Sequence, residues 1–180
     1  MTAAFLAALM AERLVELVIS KRNAAKAFAR GGVEVGKGHY VFMTLFHGAF
    51  FVACWFEAAP FDAVRFFGLL PLALGAQALR YWAIRTLGDR WNTRVIVLPD
   101  AEPVTRGPYR FMKHPNYLAV CVELAVVPLM LGAFATAAIF TAVNAVLLWV
   151  RIRVEERALG PKWEHAFAGK RRLIPGAKGG

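Results

Sequence analysis

The chain has 180 residues, of which 58% are hydrophobic, and its mean hydropathy is +0.47. A soluble domain of this length carries fewer apolar residues, so the excess indicates residues that face lipid. The formal charge of +10 would suit nucleic acid only if the basic residues were gathered on one solvated domain, and they are instead divided among the segments between apolar stretches. Cys54 and Cys121 both lie within apolar stretches, which excludes the disulfide framework of a small secreted protein.

Five apolar stretches follow one another along the chain. They cover residues 3–20, 40–59, 63–84, 117–132 and 133–150. Each is close to the roughly 20 residues that a helix needs to cross about 30 Å of hydrocarbon. The last two are contiguous and together too long for one crossing, so we expect them to fold back as a tight helical hairpin. The sequence therefore predicts an all-α, polytopic integral membrane protein with five transmembrane helices.

The basic residues indicate the orientation of these helices. Nineteen of the 22 Lys and Arg residues fall within residues 20–39, 85–116 and 151–180. Because such residues accumulate on the cytoplasmic side, the pattern predicts an N-terminus outside and a long third connection and C-terminal tail in the cytoplasm. We expect a multi-pass protein of a bacterial-type inner (plasma) membrane. The net charge of +10 is then explained by the orientation of the helices in the membrane, and no nucleic-acid partner is expected.

The sequence shows no internal repeat or flexible linker, which predicts a single domain over residues 1–180. Residues 1–90 would form a three-helix N-terminal part, and residues 91–180 a cytoplasmic cofactor-binding loop, the hairpin and a C-terminal helix. The tail contains residues suited to a short amphipathic helix on the anionic leaflet: Trp163, Phe167 and residues 170–172.

Several ionisable residues interrupt the apolar stretches. The first stretch contains three of them, Glu12, Arg13 and Glu16. Charges in a membrane span are costly unless they are paired, so we expect these three to pair on a face that is turned towards other helices. Glu123 has two candidate partners, a hydrogen bond with Asn144 that would lock the hairpin or an ion pair with Arg80.

A segment of irregular backbone is predicted immediately before the fourth stretch. It runs Arg106-Gly107-Pro108-Tyr109-Arg110-Phe111-Met112-Lys113-His114-Pro115-Asn116-Tyr117. The Gly-Pro and His-Pro steps disfavour helix and force an extended path. On this stiffened backbone, Tyr109, His114 and Tyr117 would make a suitable wall for a purine ring. The alternative is an ordinary belt of aromatic and basic residues at the membrane surface.

A second charged cluster, residues 151–157, lies at the cytoplasmic end of the fifth stretch. Arg151 and Glu155 are four residues apart and share one helical face. A hairpin returns this end of the chain to the side on which His114 lies. There, Glu155 could hold a cationic cofactor and Arg151 an anionic acceptor. The alternative is a solvated, charged helix end.

The two clusters resemble the signature of the isoprenylcysteine carboxyl methyltransferase family and its phospholipid-methyltransferase relatives. The family pattern is G-x-Y-x-x-x-[RK]-H-P-x-Y, a helical hairpin and then R-x-x-x-E-E-x-x-L. The chain supplies Gly107, Tyr109, Lys113, His114, Pro115 and Tyr117, followed by Arg151, Glu155, Glu156 and Leu159. The resemblance covers roughly residues 90–175.

The resemblance implies S-adenosylmethionine as the cofactor. It also implies that Arg151 contacts the acceptor and is the catalytic residue. Residues 101–104 match a further cofactor segment of the family only by position, and Ala101 stands where the family has a histidine. The residues implied to bind the cofactor are Tyr109, His114, Pro115, Asn116, Tyr117, Glu155, Val104 and Glu102.

Three further segments, residues 13–17, 36–40 and 95–99, are similar to a bacterial branch of this family. That branch comprises the alkylpyrone and alkylresorcinol O-methyltransferases associated with type III polyketide synthases. The resemblance implies a lipophilic acceptor that is methylated on an enol or phenol oxygen. His39, at the mouth of the second stretch, is a candidate contact for that acceptor. The alternative is the carboxylate of an isoprenylcysteine.

The chemistry that the resemblance implies suits the residues present. Methyl transfer from a sulfonium is an in-line displacement that depends on orientation, exclusion of water and stabilisation of the oxygen nucleophile. An arginine beside an anionic oxygen suffices, and a strong general base is not needed. The sequence has no metal-ligand spacing, so no metal is expected. The expected partners are a lipophilic small molecule and membrane lipids, and the oligomeric state is left open.

Two other classes of protein stay open on the sequence. The K-H-P-N-Y segment also resembles NADPH-dependent sterol reductases, although Leu118 and Ala119 stand where those enzymes have Gly-Asp. A non-enzymatic membrane scaffold or small transporter is the other alternative. An affinity for either nucleotide cofactor would separate the enzymes from the scaffold.

Overall fold

The computed structural model describes residues 1–99 and 101–176, and most of them are helical. The helices are α1 Thr2–Ala29, α2 Lys37–Glu57, α3 Ala63–Leu87, α4 Pro115–Leu131 and α5 Phe134–Ala166. The strands are β1 Val33–Val35 and β2 Val95–Val97, and the short 3-10 helices are η1 Gly88–Arg90 and η2 Gly107–Arg110. Each expected apolar stretch therefore lies on a separate helix.

Two of the helices are long and apolar enough to cross a membrane, judged by length and composition. They are α2, over Tyr40–Glu57, and α5, and the shorter α4 is also apolar. Charged residues interrupt α1, which continues nine residues beyond the expected end at Ser20. Its last turns bury Asn23, Ala24 and Ala27 against the rest of the protein. Five crossings stay a prediction.

A two-residue turn joins α4 to α5. Gly132 has a φ of 74°, and its N–H and that of Ala133 donate to carbonyls of the last turn of α4. Glu57 at the end of α2 accepts hydrogen bonds from the backbone N–H groups of Ala135 and Thr136, both at 2.7 Å. This carboxylate satisfies free donors at the start of α5 and ties that start to α2.

The last helix changes direction at Gly160, where φ is 74° and ψ is −173°. Pro161 follows, so the chain from there to Ala166 is a separate short helix. This short helix places Trp163 and Phe167 in a small apolar core with Ala83 and Tyr109. Phe167 is 1% exposed and Trp163 is 9% exposed. The expected amphipathic anchor on the leaflet is therefore wrong for these two side chains, because they pack inward.

The expectation of an all-α fold needs one correction. β1 and β2 pair antiparallel, with Val33 opposite Val97, Glu34 opposite Ile96 and Val35 opposite Val95. Strands of three residues are too short to give a periodic signal in the sequence. The pairing joins the connection between α1 and α2 to the long segment before α4, and so shapes one side of the site described below.

A buried ionic cluster holds α1, α3 and α4 together. Arg80, 4% exposed, donates through Nε to Glu123 at 2.9 Å and through Nη2 to the second oxygen of the same carboxylate. Arg80 also lies 3.5 Å from Glu16, which Arg13 contacts at 2.6 Å. The expected pairing of the charges in α1 is confirmed, and of the two candidate partners of Glu123 the structure shows Arg80. Glu123 does not bond Asn144.

Loss of Arg80 should destabilise the fold strongly. Arg80→Met would leave Glu123 and Glu16 without their shared cation in an apolar setting, which costs about 3–5 kcal/mol when a buried pair is broken. The matched control is Lys26→Met, because Lys26 and Asp89 form a pair whose side chains are 57% and 55% exposed. That pair contributes less than about 1 kcal/mol. Thermal unfolding in detergent measures the effect of both substitutions on stability. Equal, small decreases in the melting temperature would contradict a structural role for the cluster.

Candidate active site

A cavity of about 420 Å³ lies between the segment that precedes α4 and the end of α5. Seven of the eight residues implied to bind the cofactor line it: Glu102, Val104, Tyr109, His114, Asn116, Tyr117 and Glu155. Pro115, the eighth, is fully buried behind the wall as the first residue of α4. A proline fits this first position because its missing N–H would have no partner within the helix. The structure thus brings both sequence clusters to one cavity.

Tyr117 connects the two clusters directly. Its hydroxyl donates to Glu155 Oε2 and accepts from Arg151 Nε at 2.8 Å. Arg151 is 8% exposed, and its Nη2 donates to the carbonyl oxygen of Thr93 at 2.6 Å. Arg151 is thus held by a side chain of α4 and by the backbone of the loop that follows α3. Its charge occupies a fixed place in the structure, unlike that of a solvated helix end.

Stacked aromatic rings form one wall of the cavity. The rings of His114 and Tyr117 have centroids 5.2 Å apart and planes 20° apart. Trp163 lies 5.6 Å from His114 on the other side and stacks on Phe167 at 4.6 Å. Burial raises the pKa of Tyr109, so its hydroxyl stays neutral. Flat, partly apolar walls of this kind suit a planar heterocycle.

Glu156 holds the C-terminal segment against this wall. Its carboxylate accepts from His114 Nε2 at 3.1 Å and from Arg172 Nη2 at 2.7 Å. The backbone N–H groups of Lys113 and His114 also donate to the carbonyls of Arg171 and Arg172. Burial of Glu156 opposes ionisation, yet the hydrogen bonds from His114 and Arg172 outweigh it and lower its pKa to about 2. The tail is therefore part of the site.

The two candidates from residues 101–104 differ in their surroundings. Glu102 lies at the rim, where its side chain is 74% exposed and pairs with Lys162. Its backbone carbonyl accepts from Arg90. Val104 is half-buried in the cavity wall. Glu102 and Lys162 both line the cavity, so their ion pair joins the loop before η2 to the short helix after Gly160.

A second cavity, of about 350 Å³, opens between the helices on the other side of Tyr117. Arg151 lines it together with mostly apolar residues of α1, α2 and α4. The two cavities share four lining residues: Trp91, Asn92, Asn116 and Tyr117. His39 lies in the first turn of α2, but its side chain is outside the described part of the structure. Its neighbour Tyr40 lines the second cavity.

The loop that follows η1 carries site residues that the sequence analysis missed. Ser20 and Asn23 of α1 hold this loop. The Ser20 hydroxyl bonds Asn92 at 2.8 Å and accepts from the Thr93 N–H at 3.0 Å, while Asn23 Nδ2 donates to the Trp91 carbonyl at 2.8 Å. The available signal in the sequence was the presence of polar residues near the end of α1 and shortly after Gly88, the glycine at which α3 ends. Nothing in their spacing indicated that they would meet.

Stability should depend on pH through Glu156. Because its folded pKa is lowered from 4.5 to about 2, its ionised form stabilises the fold at pH values above 4.5, and this stabilisation is lost as the pH falls towards 2. We expect the melting temperature of the wild type to exceed that of Glu156→Gln near neutral pH, and the difference to shrink over this acidic window. Thermal unfolding at a series of pH values measures it. A difference that does not change with pH would contradict the assignment.

Comparison with known proteins agrees with this geometry. Residues 69–161 match the model of the isoprenylcysteine carboxyl methyltransferase (ICMT) family. The matched segment contains both clusters and the Tyr117 contact between them. The chain belongs to this family, whose members are membrane methyltransferases.

Two bacterial proteins are similar over most of their length. YpbQ of Bacillus subtilis (strain 168), described as an uncharacterized protein, is 38% identical over 157 residues, which are 86% of this chain and 94% of YpbQ. An uncharacterized protein of Haemophilus influenzae (strain ATCC 51907 / DSM 11121 / KW20 / Rd) is 29% identical over 158 residues, 85% of this chain and 91% of its own. Both similarities extend beyond the matched family segment.

Proposed function

We propose that this protein transfers a methyl group from S-adenosylmethionine to an acidic oxygen of a lipophilic acceptor at the membrane surface. The observation that carries the proposal is the meeting of the two cavities at Asn116 and Tyr117. Glu155 lies on the side of the larger cavity and Arg151 on the side of the apolar one. A cofactor and an acceptor bound in these cavities would approach each other where the two lining sets overlap.

The residues of the larger cavity fit S-adenosylmethionine. Asn116 Oδ1 is buried and has no hydrogen-bond partner among the described residues, which marks it as an acceptor for a ligand. Glu155 adds a carboxylate for the cationic groups of the cofactor, and His114 and Tyr117 offer flat faces. When bound, the cofactor supplies an electrophilic methyl on sulfur, so that the O–CH₃ bond forms as the S–CH₃ bond breaks and the released electron pair stays on sulfur.

The second cavity fits the acceptor. Met10 and Leu14 of α1 and Gly48 of α2 line it and are exposed on the outer face of the helices. This opening would admit an alkyl or prenyl chain from the bilayer. The chain would pass from the lipid into an apolar cavity without exposing its apolar surface to water. The chain would lie between the helices with its acidic oxygen at Arg151.

Arg151 orients and stabilises the anionic oxygen. Two of its nitrogens are committed to Tyr117 and Thr93, and Nη1 makes no hydrogen bond to the residues that the structure describes. A guanidinium held in this way provides a preorganised positive charge, which stabilises an oxyanion most in a site that excludes water. A carboxylate or an acidic enol reaches the site already ionised, so the protein need not supply a general base.

The acceptor that we favour is an alkylpyrone- or alkylresorcinol-type polyketide. The segments similar to that branch of the family lie on the two cavities: residues 95–99 line the larger one, and Arg13, Leu14, Glu16, Leu17 and Tyr40 line the other. An isoprenylcysteine carboxylate is the second candidate, and the family to which the chain belongs supports it. Comparing alkylpyrones with a farnesyl-cysteine analogue as acceptors distinguishes the two.

Glu155 and Arg151 should separate cofactor binding from turnover. In Glu155→Gln we expect the Kd for S-adenosylmethionine to rise about 10- to 100-fold, the value of one hydrogen bond to a charged group. In Arg151→Ala we expect this Kd to be retained and kcat to fall about 10²- to 10³-fold, as on removal of an oxyanion-stabilising group. Radiolabelled cofactor measures both in detergent-purified protein.

Matched controls lie on α5 and on the short helix that follows Gly160. Glu164→Gln and Arg153→Ala change exposed residues that line neither cavity, and both variants should behave as the wild type. Unchanged binding and turnover in Glu155→Gln and Arg151→Ala would reject the site. If the wild-type protein bound NADPH and did not bind S-adenosylmethionine, the result would favour a reductase.

We further propose five membrane crossings with the site on the cytoplasmic side of a bacterial inner membrane. The two apolar spans and the distribution of 19 of 22 basic residues support this topology. In a variant without Cys54 and Cys121, a membrane-impermeant maleimide added to intact cells should label Ala63→Cys. It should label Ala168→Cys only after lysis. The reverse pattern would overturn the orientation.

A further inference from the structure

A buried hydrogen-bond donor without a partner lies where the two cavities meet. Trp91 is 3% exposed and lines both cavities. Its Nε1 is buried and has no hydrogen-bond partner within residues 1–99 and 101–176. An indole N–H can only donate, and in protein interiors it usually has an acceptor. Because Trp91 lines both cavities, this N–H is available to an acceptor atom of a bound ligand, for which oxygen is the most suitable element.

The position of Trp91 is fixed from two sides. Its backbone N–H donates to the Gly88 carbonyl at 3.0 Å, and its own carbonyl accepts from Asn23 Nδ2 at 2.8 Å. The next two residues are held to Ser20 of α1. The backbone is thus tied to α1 and η1, and burial of the side chain restricts rotation of the indole towards another partner. The indole is preorganised for a ligand atom in the same way as Arg151.

The donors that line each cavity indicate which ligand this is. The larger cavity already has cationic side chains on its lining, among them Arg90, Lys113 and Lys162. In the acceptor cavity, Arg13 and Arg80 also appear, but both are committed to glutamates of the ionic cluster. Arg151 Nη1 and Trp91 Nε1 are donors of this cavity that make no hydrogen bond among the described residues, and Trp91 also lines the larger cavity. Thr93, which binds Arg151, lies two residues from Trp91 and lines only this cavity.

We propose that Trp91 Nε1–H binds a second oxygen of the acceptor while Arg151 binds the oxygen that is methylated. This inference rests on the proposed function and specifies its substrate class: an oxyacid whose negative charge is shared by two conjugated oxygens, as in a carboxylate or an enol conjugated to a carbonyl. The oxygen at Arg151 forms the new bond to carbon, and the other oxygen becomes the neutral carbonyl that stays at Trp91. An isolated phenol offers only one such oxygen.

The test uses Trp91→Phe, which keeps an aromatic ring and removes the N–H. For a two-oxygen acceptor we expect kcat/KM to fall about tenfold or more, the value of one hydrogen bond to an ionised group. For a simple phenol with the same alkyl chain, the fall in kcat/KM should be clearly smaller, because no second oxygen loses its donor, and any change in the Kd for S-adenosylmethionine should be smaller than the effect on the two-oxygen acceptor. With an enol acceptor, the acidic limb of the kcat profile should shift to higher pH, because the bound anion loses a stabilising donor.

Two measurements keep the inference testable if Trp91→Phe folds poorly. Trp55→Phe, at a tryptophan that is 55% exposed on α2, gives the effect of such a change away from the site. In the wild type itself, two-oxygen acceptors should exceed the matched phenol by about tenfold or more in kcat/KM. The inference would be overturned if the wild type used both acceptors equally well. It would also be overturned if the only effect of Trp91→Phe were a higher Kd for S-adenosylmethionine. A wild type that methylates no acceptor would overturn the proposed function as well.

Discussion

The contact of the Tyr117 hydroxyl with Glu155 and Arg151 is the interaction on which the site depends. It joins the first turn of α4 to the end of the apolar part of α5, and it stands between the two cavities. On one side it leaves a carboxylate facing a polar, aromatic cavity, and on the other a guanidinium facing an apolar one. The Glu155 carboxylate and the Arg151 guanidinium are thus separated only by the Tyr117 hydroxyl, and each charge faces a different cavity.

The charges buried among the helices are neutralised within the ionic cluster. The ionic cluster of α1, α3 and α4 comprises Glu12, Arg13, Glu16, Arg80 and Glu123, and among the described residues the ion pairs of Arg13 and Arg80 are all with its carboxylates. An unpaired charge at that depth would be costly and would also attract anions to the wrong part of the cavity. Because those two cations are paired with carboxylates, Arg151 is the cation on the described lining of the second cavity whose charge faces outside the cluster.

Segments far apart in the sequence hold the site together. The loop that contains Trp91 and Thr93 is tied to Ser20 and Asn23 of α1. The backbone carbonyl of Thr93 in turn accepts a hydrogen bond from Arg151. The C-terminal segment adds a second support, since Arg172 and His114 share the carboxylate of Glu156. A family motif that runs from η2 to α5 is therefore held in place by residues near both ends of the chain.

The sequence alone determined the helical class and the five apolar stretches, because period and hydropathy are local properties. Most of the residues found on the two cavities came from the resemblance of residues 107–117 and 151–159 to the family pattern. The sequence also indicated that the charges of α1 would pair. Only the tertiary structure decided which groups meet: that Glu123 binds Arg80 and not Asn144, that Trp163 and Phe167 turn inward after Gly160, that β1 pairs with β2, and that Trp91 lies between the cavities. These outcomes depend on contacts between residues distant in sequence, and no local pattern encodes the partner of a side chain.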